Sequence, residues 1–409
     1  MNWSSQFNSC SFLDNHQYAS PWNQQECLVA AGCHQYIKRP AGKALHQLQL
    51  FIDAHKGQWL FGHLAYDLKN ETEPLQSLHR DHIGFDDLHF FIPQIVVRLN
   101  GEEIRIDSFN DDHDAILMAI HAASPIINRQ ANESVEVYPR ISKEKYIGII
   151  NQLRNHILRG DCYEINFCQE FFANNTCIIP QDIYQKLSEV SPNPFSAFYR
   201  QNDKYLMCAS PERYLQKRGL KIVSQPIKGT APRIAGNLAE DELQKNSLRE
   251  SSKEQSENVM IVDLVRNDLS KVCEEATVKV DELFGIYTYP QVHQMISTIS
   301  GILKTDTSFI EIIAATFPMG SMTGAPKRRV MELIEEYEQT RRGLYSGAVG
   351  YIDPNGDFDF NVVIRSILYN ETNRYLSYQV GGGITFYSDA EKEYNECMLK
   401  AEAIKQVLK

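Results

Sequence analysis

Tyr345-Ser-Gly-Ala-Val-Gly-Tyr-Ile-Asp-Pro-Asn-Gly-Asp-Phe-Asp-Phe-Asn-Val-Val-Ile-Arg-Ser-Ile-Leu368 carries two apolar runs on either side of Asp353-Pro-Asn-Gly356. A Pro/Asn/Gly cluster between β-branched and aromatic runs is turn chemistry, and it predicts strands over 345–352 and 358–368. A second turn at 370–373 leads to a strand over 375–380. Turns this short join only antiparallel neighbours. On the N-terminal side, Gly320-Ser-Met-Thr-Gly-Ala-Pro-Lys327 reads as a Gly-rich loop opening a helix, with Thr323 as N-cap, Pro326 in the first turn and Gly343 as the stop. On the C-terminal side come Gly381-Gly-Gly383 and a last helix whose start, Ser388-Asp-Ala-Glu391, has the capping-box pattern.

The rest of the chain repeats this mixture. Helices are expected over 111–123, from Ser142 to about 159 with Gly160 as the stop, and as one long unit over 238–269. Strands are expected over 59–66, 90–98, 103–107, 163–169, 197–199, 205–209 and 220–224. Strand-rich blocks interrupted by helices predict an α+β fold, antiparallel sheets with helices outside. The polar stretch 128–136 is the candidate linker.

The chain has 409 residues and a formal net charge of -11, with no basic stripe, which excludes nucleic acid as the expected partner. Nine cysteines without a Cys-x-x-Cys pair suit a reducing compartment. No basic-then-apolar leader and no membrane-length apolar run is found, so a soluble cytoplasmic protein is the expectation.

Candidate chemistry centres on Ser224-Gln-Pro-Ile-Lys-Gly-Thr230. Lys228 lies between Ile227 and Gly229; desolvation there would disfavour its ammonium and free a nucleophilic amine, although most lysines are solvated surface groups. Gly229 would let a substrate approach the backbone. Glu254 with Glu257, and Glu393 with Glu396, are Glu-x-x-Glu pairs that share a helix face. Together they would make an all-oxygen site for Mg²⁺, and each alone could be a solvated pair. Arg365 shares strand parity with Val363 and Ile367, so a buried guanidinium is expected there, held by a ligand anion or by an internal carboxylate. Gly381, Gly382 and Gly383, with the helix start near Thr323, could present amides to a carboxylate. Glu212 could be a general acid or a turn residue. His293 could touch substrate or be a satisfied core histidine.

Read together, Gly160-Asp-Cys-Tyr-Glu-Ile-Asn166, Ser210-Pro-Glu-Arg213, Pro226-Ile-Lys-Gly-Thr230, the run from Glu257 to Asp268, Gly320 to Lys327, Gly347 to Tyr351, Ile364-Arg-Ser366, Gly381-Gly-Gly-Ile384 and Glu393 to Lys400 resemble the chorismate-utilising enzymes. That family includes the component I proteins of anthranilate and aminodeoxychorismate synthases and the isochorismate and salicylate synthases. The resemblance is looser over 1–135, which is expected to pack into the same sandwich, and strong over 136–409, the expected chorismate-binding domain. It implies two stacked antiparallel sheets with outer helices. It implies Mg²⁺ on Glu257 and Glu396 with Glu254 and Glu393 beside them, against the ring carboxylate of chorismate. Arg365, Tyr345, Ser321, Lys400 and the 381–383 amides would bind substrate, Glu212 would protonate the departing C4 hydroxyl, and His293 would lie near the ring. Lys228 resembles the lysine of aminodeoxychorismate synthases, where anthranilate synthases carry alanine. The water-activating lysine of the isochorismate and salicylate enzymes is replaced by Glu164, where the amino-transferring members are expected to carry glutamine. No Cys-containing glutaminase signature is present, so the resemblance implies ammonia from a separate glutamine amidotransferase subunit.

Overall fold

A computed structural model of the chain describes residues 1–18, 21–22, 25–110, 112–123, 134–234 and 236–409. Among them, two antiparallel sheets of eleven and ten strands are stacked, with helices outside. The strand Lys204–Ser210 shows why its sequence is apolar at both parities. Leu206 and Cys208 point into the cluster shared by the two sheets, whereas Tyr205, Met207 and Ala209 point outward into a second cluster with the helix Pro180–Val190. Both faces are covered, so alternation disappears.

Strands from both ends of the chain enter both sheets. Ser9–Asp14 pairs with Phe195–Gln201 in the larger sheet, and Leu60–Leu64 pairs with Ala348–Ile352 in the smaller. Of the expected linker, residues 128–133 lie outside the described set; Val135 beyond them donates its N–H to the Leu408 carbonyl at 2.8 Å.

Several expected elements are divided. The run 90–98 forms Leu88–Ile92 in the smaller sheet and Ile95–Asn100 in the larger, changing sheet at Pro93-Gln94. The run 358–368 likewise forms Phe358–Asn361 in the smaller sheet and Ser366–Asn370 in the larger. The single helix expected over 238–269 is two, Leu238–Glu250 and Ser252–Ser270, with Ser251 at extended dihedrals capping the second through the Glu254 N–H. Thr323 caps no helix: its hydroxyl bonds the Met319 carbonyl at 3.0 Å, and Lys327–Tyr337 starts after Pro326. The single helix expected at the C-terminal end is also two, Ala390–Lys400, capped by Asp389 and not Ser388, and Glu402–Leu408. Ser142 does cap Lys143–Leu158. No described helix is long and apolar enough to cross a membrane.

Candidate active site

The site forms where the chain changes sheets. Lys204–Ser210 belongs to the larger sheet and Arg213–Arg218 to the smaller, so Pro211 and Glu212 lie at a crossing. The segment 362–365 is a second crossing. The two run side by side: the Val362 N–H donates to the Glu212 carbonyl at 3.0 Å, and the Ala209 N–H to the Arg365 carbonyl at 3.2 Å. Strand-switching corners expose side chains that a continuous strand would bury in one face. Arg365 is therefore not a strand residue, and the parity reading fails; it stands at φ +53, a left-handed conformation that costs of order 1–3 kcal/mol away from glycine. Its side chain is only partly buried, on the cleft wall. Nη1 donates to the Lys400 carbonyl at 2.9 Å, and among the described residues no carboxylate pairs with it.

The crossings open into a cleft of about 820 Å³, counting its mouth, lined by Glu212, Lys228, Glu254, Glu257, Arg365 and Glu396 among others. Lys228 lies on the edge strand Ile227–Pro232, which pairs Ile227 with Ile296 and Thr230 with Gln294. The register shift between those pairs is a bulge over Lys228 and Gly229, and Gly229 takes φ +96. A Cβ on Gly229 would meet Glu254 Oε2 and Leu248 at 3.1 Å, so its small size admits the helix pair, and Gly229 also lines the cleft. Lys228 is buried as expected, but its charge state is not the expected one. Burial disfavours the ammonium; the carboxylates of Glu164, Glu257 and Glu212 more than offset this, and Lys228 Nζ donates a hydrogen bond to Glu164 Oε1. The resting lysine is held protonated.

Glu212 has the opposite balance. Burial pushes its carboxyl up to about 7, although the Ser321 hydroxyl donates to Oε1 at 2.6 Å and lowers it. An acid that keeps its proton to neutrality can donate it. The two Glu-x-x-Glu pairs sit on the helices Ser252–Ser270 and Ala390–Lys400. Lys253 Nζ stands 3.9 Å from Glu254, 3.7 Å from Glu257 and 3.5 Å from Glu393. Burial raises Glu257 to about 8, and its Oε1 has no hydrogen-bond partner among the described residues. Lys400, 2.8 Å away, draws Glu396 down to about 2. As the side chains stand, no group of three among the described residues is gathered closely enough to hold an ion. The donor set still fits a hard cation: it is all oxygen, it gathers round a positive charge, and one buried oxygen is unpartnered.

Tyr345 and Lys400 also line the cleft; the Tyr345 hydroxyl contacts Cys168 Sγ at 3.7 Å, and Lys400 Nζ donates to the Gly381 carbonyl at 3.0 Å. The triple glycine is no bend. Gly381, Gly382 and Gly383 continue the strand Tyr375–Ile384 and pair with Cys168, Phe167 and Asn166. The neighbour on the other side, Ser366–Asn370, pairs only as far as Tyr378, so that strand does not cover the glycines. His293 is not brought into the cleft: its ring bonds the Thr288 hydroxyl at 2.9 Å and Asp241 at 3.0 Å, while Gln294 beside it lines the wall. Sequence reading missed Lys253, Asn166, Gln294 and Gln379, which line the cleft, and the link from Glu164 to Lys228. Lys253 had a signal in its i,i+4 spacing to Glu257.

Residues 14–406 match the family model described as chorismate binding enzyme. The chain is 34% identical over 352 residues to an anthranilate synthase component I-like protein of Synechocystis, covering 85% of this chain and 72% of that one. It is also 34% identical over 345 residues to aminodeoxychorismate synthase component 1 of Klebsiella aerogenes, covering 84% and 75%. The crystal structure of anthranilate synthase component I from Streptococcus pneumoniae superposes with a TM-score of 0.82 at 25% identity, over 95% of this chain and 93% of that one. With nearly the whole length matched in sequence and in fold, the chain belongs to the chorismate-binding enzymes.

Proposed function

We propose that this chain is the component I of an aminodeoxychorismate synthase, converting chorismate and ammonia to 4-amino-4-deoxychorismate and water. Relatives named aminodeoxychorismate synthase stand at 32–40% identity and those named anthranilate synthase at 33–34%, ranges that overlap. The observation that carries the choice is Lys228, buried in a bulge on the wall of a cleft that also holds a protonated Glu212.

In this reading the ring carboxylate of chorismate lies toward the two glutamate helices. Mg²⁺ held there by Glu257 and Glu396, with Glu254 and Glu393 beside them, would supply charge neutralisation. Arg365, a partly buried cation without a carboxylate partner among the described residues, takes the other carboxylate bidentately, assisted by Tyr345, Lys400 and Gly381 to Gly383. The Lys228 amine bonds to C2, the ring double bonds shift, and the C4–O bond breaks. The hydroxyl leaves as water with the Glu212 proton. Ammonia then bonds to C4, the double bonds shift back, and the C2–N bond breaks to return the lysine; the new C4 ammonium gives its surplus proton to Glu212. Two displacements replace one difficult substitution.

Ammonia would come from a separate glutamine amidotransferase. Cys168 behind Tyr345 and Cys397 on the Glu396 helix are pushed up by burial to about 12 and about 11, so neither offers a thiolate for glutamine hydrolysis. The deciding experiment incubates the protein with chorismate, Mg²⁺ and an ammonium salt and identifies the product by mass and fluorescence. Aminodeoxychorismate is expected; fluorescent anthranilate formed without an added lyase would overturn the assignment.

A further inference from the structure

Glu164 has no part in the steps above, yet it is the residue that touches Lys228. It begins the strand Glu164–Ala173 and is completely buried. Its backbone is fixed on both sides: Ala325 pairs with it, and the strand Tyr375–Ile384 pairs with its neighbour Ile165. One carboxylate oxygen accepts the hydrogen bond from Lys228 Nζ, and the other is buried without a partner among the described residues. Room for the pair is kept by Gly383, where a Cβ would lie 2.6 Å from Glu164 Oε1 and 2.9 Å from Lys228 Nζ. Taking two charges out of water is costly, and a lysine serving only as an anchor could stay hydrated.

We propose that Glu164 is the positioning residue of Lys228, holding its ammonium toward the ring and accepting its proton so that the neutral amine attacks. This rests on the covalent reading above and deepens it. The transfer breaks one N–H bond of Lys228 and forms one O–H bond on Glu164. Attack at C2 then produces a secondary ammonium, which leaves as the neutral amine when the C2–N bond breaks, and Glu164 returns the proton. The pair is neutral overall before and after transfer; the positive charge that attack places on the lysine nitrogen is matched by the carboxylate Glu212 leaves when it protonates the departing hydroxyl. The other charged groups around it are Glu212 at the crossing, Lys253, Glu254 and Glu257 on one helix, and Glu396 with Lys400 on the other.

The test is Glu164→Gln in the full chain, assayed with chorismate, Mg²⁺ and ammonium. Proton transfer within the pair needs no exchange with solvent. With the free-ammonia concentration held constant across the series, the wild-type kcat is therefore expected to be flat below pH 7. In the variant the ammonium must lose its proton to water: kcat falls about 10²-fold at neutrality and drops about tenfold for each further unit of acid, while KM for chorismate stays within about twofold. A wild-type kcat and pH profile in the Gln variant would overturn the proposal. Should that variant fail to fold, Glu164→Asp decides: a carboxylate set back by one methylene is expected to lower kcat roughly tenfold with the flat profile kept, and a kcat within about twofold of wild type refutes the assignment. The underlying reading fails separately, if the wild type makes no aminodeoxychorismate or if Lys228→Ala still does.

Discussion

Lys228 illustrates how burial and pairing compete over one charge. Desolvation alone would release the amine, but the ring of carboxylates around it holds the proton at rest. The burial was legible in Pro226-Ile-Lys-Gly-Thr230; the charge state was not, because Glu164 and Glu257 lie far away in sequence. Lys228→Ala is expected to lower kcat at least about 10³-fold and to abolish the covalent ring adduct sought by intact-protein mass spectrometry after rapid acid quench. An adduct persisting in that variant would remove the lysine from the chemistry. In the proposed mechanism Glu212 sets the pH dependence on the alkaline side. Its acid form is the one stabilised by burial, so the proton is present below about 7 and lost as pH rises through that value. The rate is therefore expected to fall about tenfold per unit above pH 7, and Glu212→Gln to cost about 10²- to 10⁴-fold in kcat at pH 6. A flat alkaline limb in a pH–rate profile would assign the acid elsewhere.

At the scale of elements, local signals were read well and changes of sheet were not. The strand runs, the Ser142 cap and the Asp353-Pro-Asn-Gly356 turn follow from nearest-neighbour chemistry. A strand that leaves one sheet for the other keeps its apolar pattern across the crossing, so 90–98 and 358–368 each looked like one strand. The break at Ser251 was equally hidden, since no Gly or Pro marks it. The glycines of Tyr375–Ile384 line the cleft, as their position suggests, and they are also needed by the neighbouring strand. A Cβ at position 381 would sit 2.2 Å from the Phe167 carbonyl oxygen, which belongs to backbone and cannot swing aside. Gly381→Ala is expected to destabilise the fold by about 1–3 kcal/mol in urea titration. An unchanged midpoint would mean that the strands part more easily than this contact implies.

Across the whole molecule, one buried ion pair ties the pieces around the cleft. Arg342 donates to both Glu338 oxygens, at 2.9 and 2.7 Å, to the Met322 carbonyl at 2.7 Å and to the Asn166 carbonyl at 2.8 Å. Its guanidinium also lies 4.5 Å from the centre of the Tyr66 ring, so an N-terminal residue joins the same knot. Arg342→Leu leaves Glu338 buried and unpaired and is expected to cost about 3–5 kcal/mol by urea unfolding, part of it recovered when Glu338 is also changed to Leu. A loss below about 1 kcal/mol would show that water reaches the pair. The two adjoining crossings carry a further consequence for biosynthesis. A ribosome makes Glu212 long before Val362, yet each of these residues receives its backbone partner from the other. Glu212, the proposed proton donor, therefore gains this backbone partner only once residue 362 has been made, and on that reading products that stop short of it are expected to be inactive.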